Sequence, residues 1–344
     1  MADKKKIVFV VNTVGMTGGI RVVFEYAKRL KNDGHEVKIV HLLKLRPGLK
    51  SSLTAVFKKI KWALRGRNNI GWFDLGGVSI SHQISLGANA DILIATAYET
   101  AKPVSDHKAN VKKIYFIQGY ESWGRKEANE TYQLPIRKIT ISIWLKDLLK
   151  EKFGADAEVA TPGIDLEQFD VKKKQFNREK VIAMMYHTLP EKGAKIGLGA
   201  LEKVSVAHPE VKFQIFGMYD PPQLPKNATY FKDPSRNKLR EIYTTSDIYI
   251  IPSLSEGFGL TALEAMSAGC ALVVTKTGGY ADFSTDGESA IWVPPGNTDA
   301  IAEATIELIE NEEKLKNIAE SGRKAIQNFS LEKAYRNFRD LILS

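Results

Sequence analysis

The sequence predicts an α/β protein of two domains, each built on a parallel sheet with helices on its faces. Three observations carry this. Short apolar runs at Ile7–Val11, Glu36–Leu43, Asp91–Thr96, Lys113–Gln118, Val181–Tyr186, Val211–Phe216, Asp247–Ile251 and Leu272–Val274 are separated by amphipathic segments, the pattern of strands joined by helical crossovers. Two of those runs, one in each half, end in a glycine loop that opens directly into a helix: Asn12–Gly19 and Ser253–Thr261. The length of 344 residues is enough for two such domains with sizeable cores.

Composition narrows the class. With 44% hydrophobic and 26% charged residues the chain reads as soluble and globular, and no apolar run approaches the length that crosses a bilayer. The first residues do not read as a signal peptide, because the apolar segment Ile7–Val11 is too short and is better read as a strand. The single cysteine, Cys270, excludes an intramolecular disulfide and fits a reducing cytoplasm. It stands among small residues before a strand, as a buried filler.

Taken in order, Ile7–Val11 runs through Asn12-Thr13-Val14-Gly15-Met16-Thr17-Gly18-Gly19 into an amphipathic segment from Ile20 to about Lys31. Strand, glycine loop and helix make the opening unit of a Rossmann-like sheet. The glycines fall as GxxGG, so the loop is not a dinucleotide fingerprint; it is either a phosphate-facing loop or a structural turn.

After the second strand, residues 44–67 hold Lys44, Arg46, Lys50, Lys58, Lys59, Lys61, Arg65 and Arg67 and no acid, which nearly equals the chain's net charge of +9. Leu53, Val56, Phe57, Ile60 and Leu64 recur there at helical spacing with Trp62 to one side. The stretch 50–67 reads as a basic amphipathic helix for an anionic membrane surface, where each Lys or Arg contributes on the order of 1 kcal/mol. The alternative is an apolar stripe packed on its own domain under solvated lysines. Nucleic acid is not an expected partner, since it needs a basic groove with interleaved stacking aromatics.

Further strands are predicted at Val78–Ser81, Asp91–Thr96 and Lys113–Gln118. The last runs into Gly119-Tyr120-Glu121-Ser122-Trp123 at the carboxyl edge of the sheet, where ligands bind in open α/β folds. Gln118, Tyr120, Glu121 and Trp123 are candidate ligand contacts there, since polar amides and aromatic faces suit sugars, or turn packing. Lys138–Ser142 reads as a strand and Ile143–Phe153 as a helix; the first domain is expected to span 1–165, and the polar stretch 166–179 to be a linker. The second domain, 180–328, opens with Val181–Tyr186 and the loop His187-Thr188-Leu189-Pro190-Glu191-Lys192-Gly193. A helix over Leu331–Leu343, within 329–344, is expected to return to the first domain.

The central stretch is Ser253-Leu254-Ser255-Glu256-Gly257-Phe258-Gly259-Leu260-Thr261-Ala262-Leu263-Glu264. Gly257 and Gly259 allow close backbone approach, and a helix beginning near Leu260 aims its unpaired N–H groups and positive dipole end at the turn, which favours a phosphate. Glu256 and Glu264 flank the turn, and carboxylates suit the hydroxyl pairs of ribose and hexose.

The Glu256…Glu264 spacing in this setting resembles the E-x7-E motif of retaining glycosyltransferases of the GT-B fold, family 4. Lys192-Gly193 and Thr277-Gly278-Gly279-Tyr280-Ala281-Asp282 are similar to further motifs of that family, continuous over about 160–330. The run from Tyr115 to Glu121 looks like its rhamnosyltransferase-type branch. The resemblance implies two Rossmann-like domains facing each other across a cleft, a nucleotide-sugar donor, and a glycan or lipid-linked acceptor in cell-surface polysaccharide or glycoconjugate synthesis. It implies that Glu256 orients the donor sugar and Glu264 holds the ribose. Lys192 with the main chain of Gly257, Phe258, Gly259, Leu260 and Thr261 would bind the diphosphate, and Gly18 and Gly19 would close over the phosphate. Lys192 and Glu256 are the catalytic candidates. No metal or other cofactor is implied, there being no Asp-x-Asp in the sequence. His187 stands where the family carries Arg, and it is either protonated by the bound diphosphate or relieved of that load by the helix ends. An epimerase-like enzyme of the same fold, which would release a changed sugar nucleotide without an acceptor, and a non-catalytic sugar-nucleotide-binding partner are the alternatives. The expected location is the cytoplasm, at the inner face of the membrane if 50–67 binds lipid.

Overall fold

The computed structural model describes residues 3–43, 70–83, 85–87, 89–121, 126–171 and 174–344. The basic stretch 50–67 and Trp123 therefore lie outside the described residues. The chain forms two compact units, residues 1–161 with 335–344, and residues 162–334.

The first unit holds a sheet of seven strands: β1 (Lys6–Val11), β2 (Glu36–Leu42), β3 (Ser79–Gln83), β4 (Ile92–Ala95), β5 (Lys112–Ile117), β6 (Arg137–Thr140) and β7 (Glu158–Val159). Their order is β3-β2-β1-β4-β5-β6-β7, and every pairing is parallel. Strand order reverses between β1 and β4, which leaves a crevice at their carboxyl ends. Ile7, Phe9 and Val11 on one face of β1 and Val10 on the other are fully buried, as expected when helices cover both faces. The first helix, Gly18–Asn32, starts two residues earlier than the sequence suggested, because the Thr17 hydroxyl caps it by accepting from Ile20 N at 3.2 Å. The helix Tyr98–Ser105, hidden in the sequence by Pro103, follows β4.

The C-terminal residues 335–344 belong to this unit. Phe338 of the helix Leu331–Leu343 is fully buried, with ring centroids 4.6 Å from Tyr26 and 4.8 Å from Phe116. Beside it the Tyr335 hydroxyl donates to Asp33 at 2.5 Å, which ties this helix to the end of the first one.

The second unit holds β8 (Val181–Tyr186), β9 (Lys212–Gly217), β10 (Ala228–Lys232), β11 (Ile248–Ile251), β12 (Ala271–Thr275) and β13 (Ile291–Val293). Their order is β10-β9-β8-β11-β12-β13, again parallel throughout. The reversal lies between β8 and β11, so the loops after these two strands meet. Ile182, Met184, Ile215, Ile248, Ile250 and Val273 form the centre of its core. The expectation of two doubly wound α/β sheets holds. The strand β10 was not foreseen; it is an edge strand, half covered, and therefore lacks the continuous apolar run of its neighbours.

Residues expected to form a linker are fastened to the second unit instead. Phe169 is fully buried with its ring 5.8 Å from Tyr243, Asn177 N and Nδ2 both donate to the buried Asp247 carboxylate at 3.0 and 2.9 Å, and Arg323 pairs with Asp170 at 3.2 Å. Cys270 is buried, its thiol donating to the carbonyls of Tyr243 and Ser246 at 3.1 and 3.3 Å. Burial pushes that thiol's pKa up to about 11.

Candidate active site

Three loops of the second unit, after β8, β11 and β12, are locked together by close backbone approaches. Gly193 has φ +63, and a β-carbon there would lie 1.9 Å from the Pro252 carbonyl oxygen. Leu254 N donates to Glu191 O at 2.7 Å and completes the junction of the first two loops. Gly278 has φ +62, and a β-carbon there would lie 1.7 Å from the Glu256 carbonyl oxygen. Only glycine tolerates both the conformation and the contact.

This packing brings Lys192 to Glu256. The ammonium lies 2.8 Å from Glu256 Oε2, the two side chains being 23% and 17% exposed. Lys192 ends the short turn Pro190–Lys192, and Gly193 caps the helix Ala194–Ala207 without any side-chain cap. Gly259, also left-handed at φ 98, caps the helix Leu260–Ser267 in the same way, and that first turn carries no acid. Two helices thus begin, uncapped by side chains, at the far ends of the loops that follow neighbouring strands, and such ends attract anions. Leu260 and Thr261 open the second helix. Phe258 turns its ring into the core against Phe283 and Phe329, at 5.3 and 5.9 Å, which leaves its main chain to the turn.

Glu264, one turn into that helix, is 5% exposed. Its carboxylate accepts from Arg236 Nη1 at 3.1 Å and from the Tyr243 hydroxyl at 3.4 Å. Arg236 in turn donates to Gln168 Oε1 and lies 4.9 Å from the Phe169 ring centroid. The sequence reading missed Arg236 and Tyr243; their one signal is position, since both lie on the helix Arg236–Thr245 that directly precedes β11.

His187 lies at the end of β8. Its Nδ1 accepts from Leu189 N at 3.0 Å, and its ring meets that of Tyr219 edge-on at 5.2 Å. Burial and the nearby Lys192 ammonium lower its pKa, against a smaller opposing pull from Glu191.

In the first unit, Gly19 adjoins Gln118: a β-carbon on Gly19 would lie 3.2 Å from Gln118 Oε1. Tyr120 stacks on Tyr132 at 6.1 Å, with the Lys152 ammonium 5.1 Å from its ring centroid. Glu121 serves the turn itself, accepting from Tyr98 N at 2.7 Å and from the Tyr115 hydroxyl at 3.2 Å. A missed feature lies at the ends of β2 and β3, where His41 Nδ1 and His82 Nδ1 are 2.8 Å apart. Among the described residues no group of three or more metal-ligating side chains is brought together, and no helix is long and apolar enough to cross a membrane.

Residues 166–325 match the family model described as glycosyl transferases group 1. Over this span the second unit is similar to the group 1 glycosyl transferases. This matched span contains Lys192, Glu256 and Glu264 together. An uncharacterized glycosyltransferase of Methanocaldococcus jannaschii is 25% identical over 210 residues, covering 58% of this chain and 57% of its own. A D-inositol 3-phosphate glycosyltransferase of Rhodococcus jostii is 26% identical over 214 residues, covering 54% of this chain and 47% of its own. The chain thus spans about half the length of these curated relatives. Over nearly its whole length it has the fold of the Anabaena protein HepE solved with UDP-glucose, with a TM-score of 0.76, 14% identity, and 98% and 99% of the two chains covered. A glycosyltransferase from Rickettsia africae matches at a TM-score of 0.72, 19% identity, and 99% and 98% coverage. The fold is that of the GT-B glycosyltransferases, and the span matched by the family model includes the candidate site.

Proposed function

We propose that the protein transfers a hexosyl or deoxyhexosyl group from a nucleotide-diphosphate donor to an acceptor hydroxyl, with retention at the anomeric carbon. The carrying observation is that the loops after the adjacent strands β8 and β11 bring Lys192 to Glu256 and each open into a helix uncapped by a side chain, the second of which carries Glu264 one turn in. The acceptor oxygen bonds to the anomeric carbon as that carbon's bond to the diphosphate oxygen breaks, and the hydroxyl proton leaves with the nucleoside diphosphate or to solvent. The helix starts and Lys192 stabilise the charge gathering on the leaving diphosphate, which is electrostatic catalysis by preorganised donors. Glu256, aligned by Lys192, orients sugar hydroxyls, and Glu264 accepts from the ribose. HepE, solved with UDP-glucose, is a precedent for such a donor on this fold. No metal enters the scheme.

We assign acceptor recognition to the first unit, with Gln118 and Tyr120 as contacts, and the acceptor to the glycans or lipid-linked sugars of cell-surface assembly on the cytoplasmic side. The basic stretch 50–67 would hold the enzyme at an anionic membrane; co-sedimentation with phosphatidylserine vesicles, lost when its lysines are replaced by glutamine, tests this.

The donor reading is tested by thermal shift with UDP, GDP, dTDP and CMP on wild type and Glu264→Ala. A ligand at about one hundred times its dissociation constant stabilises by about 2.7 kcal/mol. One diphosphate is expected to raise the melting temperature of wild type and not of the variant. If none of the four does so, the transferase reading fails.

A further inference from the structure

The charged side chains at the diphosphate site balance one another. Lys192 pairs with Glu256 at 2.8 Å and Arg236 with Glu264 at 3.1 Å, so these four groups add no net charge. Glu191 and Lys276, in the loops after β8 and β12, are likewise of opposite sign, and beside them stands His187, whose Nδ1 accepts from Leu189 N at 3.0 Å. A backbone N–H only donates, so Nδ1 presents its lone pair, and the proton of the neutral ring sits on Nε2. Charging the imidazole would place a second proton on Nδ1, pointing at that N–H, and the bond would be lost. The surroundings act in the same direction. Burial and the Lys192 ammonium disfavour the cation and Glu191 alone opposes them, while the Tyr219 ring packs edge-on against the imidazole.

We propose that His187 serves the donor diphosphate as a neutral Nε2–H hydrogen-bond donor, in a site that holds its anion without any excess of formal side-chain charge. This rests on the donor reading above and adds the protonation state and the charge selectivity of the site. The anion is met by main-chain dipoles at the helix starts Ala194 and Leu260. Two consequences follow from the charge count. Binding a sugar nucleotide, whose doubly esterified diphosphate does not titrate near neutrality, takes up no proton. The released nucleoside diphosphate gains a third negative charge as its terminal phosphate ionises near about pH 6, and a balanced site gains little from it. The preference of such a site for the product over the sugar nucleotide is correspondingly small.

The test is titration calorimetry of UDP-glucose and GDP-mannose, in buffers of different ionisation heat, between about pH 6 and about pH 8, where an ordinary imidazole titrates. The expected result for whichever ligand binds is no proton uptake and an affinity constant within about twofold. Uptake approaching one proton, with affinity rising as the pH falls, overturns the proposal and leaves the donor reading intact. Binding of neither sugar nucleotide overturns the donor reading and this inference with it. Leu189→Pro removes the N–H, at an exposed residue whose φ of −67° suits proline; freeing Nδ1 should make proton uptake appear, and its continued absence counts against the tautomer lock. Should that variant not fold, His187→Gln and His187→Phe decide. Glutamine, a neutral donor, should keep the affinity within about threefold and phenylalanine lose about tenfold, a hydrogen bond's worth. Equal losses in the two overturn the proposal.

Discussion

Lys192 Nζ and Glu256 Oε2 lie 2.8 Å apart although 64 residues separate them in the chain. The contact joins the loop after β8 to the loop after β11, and it fixes each partner by the other. Neutralising one side should therefore hurt twice, once by removing a ligand contact and once by leaving a partly buried charge alone. Lys192→Met is expected to lower kcat by about 10²–10³-fold, the scale for losing one preorganised donor. The stability loss should be about 1–3 kcal/mol, and Lys192→Met with Glu256→Gln should recover most of it without recovering activity. Steady-state kinetics and urea unfolding of the three variants check this.

Gly278→Ala puts a methyl group 1.7 Å from the Glu256 carbonyl oxygen in the alternative where nothing moves. The backbone at Glu256 must shift, so transfer should fall much further than nucleotide affinity, to which the loop after β8 is proposed to contribute as well. A variant with normal turnover would show that Glu256 need not be held in place. Product formation measured beside nucleotide affinity separates the two effects.

Arg236 holds a carboxylate that is 5% exposed. Arg236→Met should weaken nucleotide binding about 10–100-fold and lower the melting temperature by several degrees, since a buried carboxylate that loses its ion-pair partner is costly. Arg236→Lys should recover part of both. Equal affinity in Arg236→Met and wild type would remove Glu264 from the ribose site.

Stability should fall on mild acidification. His187 and His82 both have folded-state pKa values below the ordinary 6.5, mainly through burial. Between those values and 6.5 the unfolded chain binds more protons than the folded one, so stability rises with pH there. Their contribution is fully present above about pH 6.5 and is lost as the pH falls through the depressed values. Melting temperatures from pH 7 down to about pH 5 should decline, and more shallowly in a His82→Phe, His187→Phe variant.

Much of this architecture was legible because it is local. The runs Ile7–Val11 and Val181–Tyr186 announce buried strands, and the glycines before Leu260 announce a turn into a helix. What could not be read depends on partners chosen by tertiary packing. Nothing near Glu264 in the sequence points to Arg236, because the helix Arg236–Thr245 meets the helix of Glu264 only once β11 lies between them in the chain and beside them in space. Glu121 reads in the sequence as a sugar contact or as turn packing; the partners it binds, Tyr98 N and the Tyr115 hydroxyl, are supplied by other strand ends. Gly193 carried a motif in the sequence; its reason, the Pro252 carbonyl, lies across the sheet's reversal.

The lone thiol gives the molecule a built-in clock. Cys270 spends its proton on the carbonyls of Tyr243 and Ser246 at 3.1 and 3.3 Å, and its pKa is pushed up to about 11. A thiol reagent, which needs the exposed thiolate, should reach it only when β12 and the helix Arg236–Thr245 part. The labelling rate thus counts openings of the very unit proposed to hold the donor, with no dye or tag introduced. Any ligand that closes that unit should slow the count in proportion to its occupancy, so substrate searches can be run on the unaltered chain.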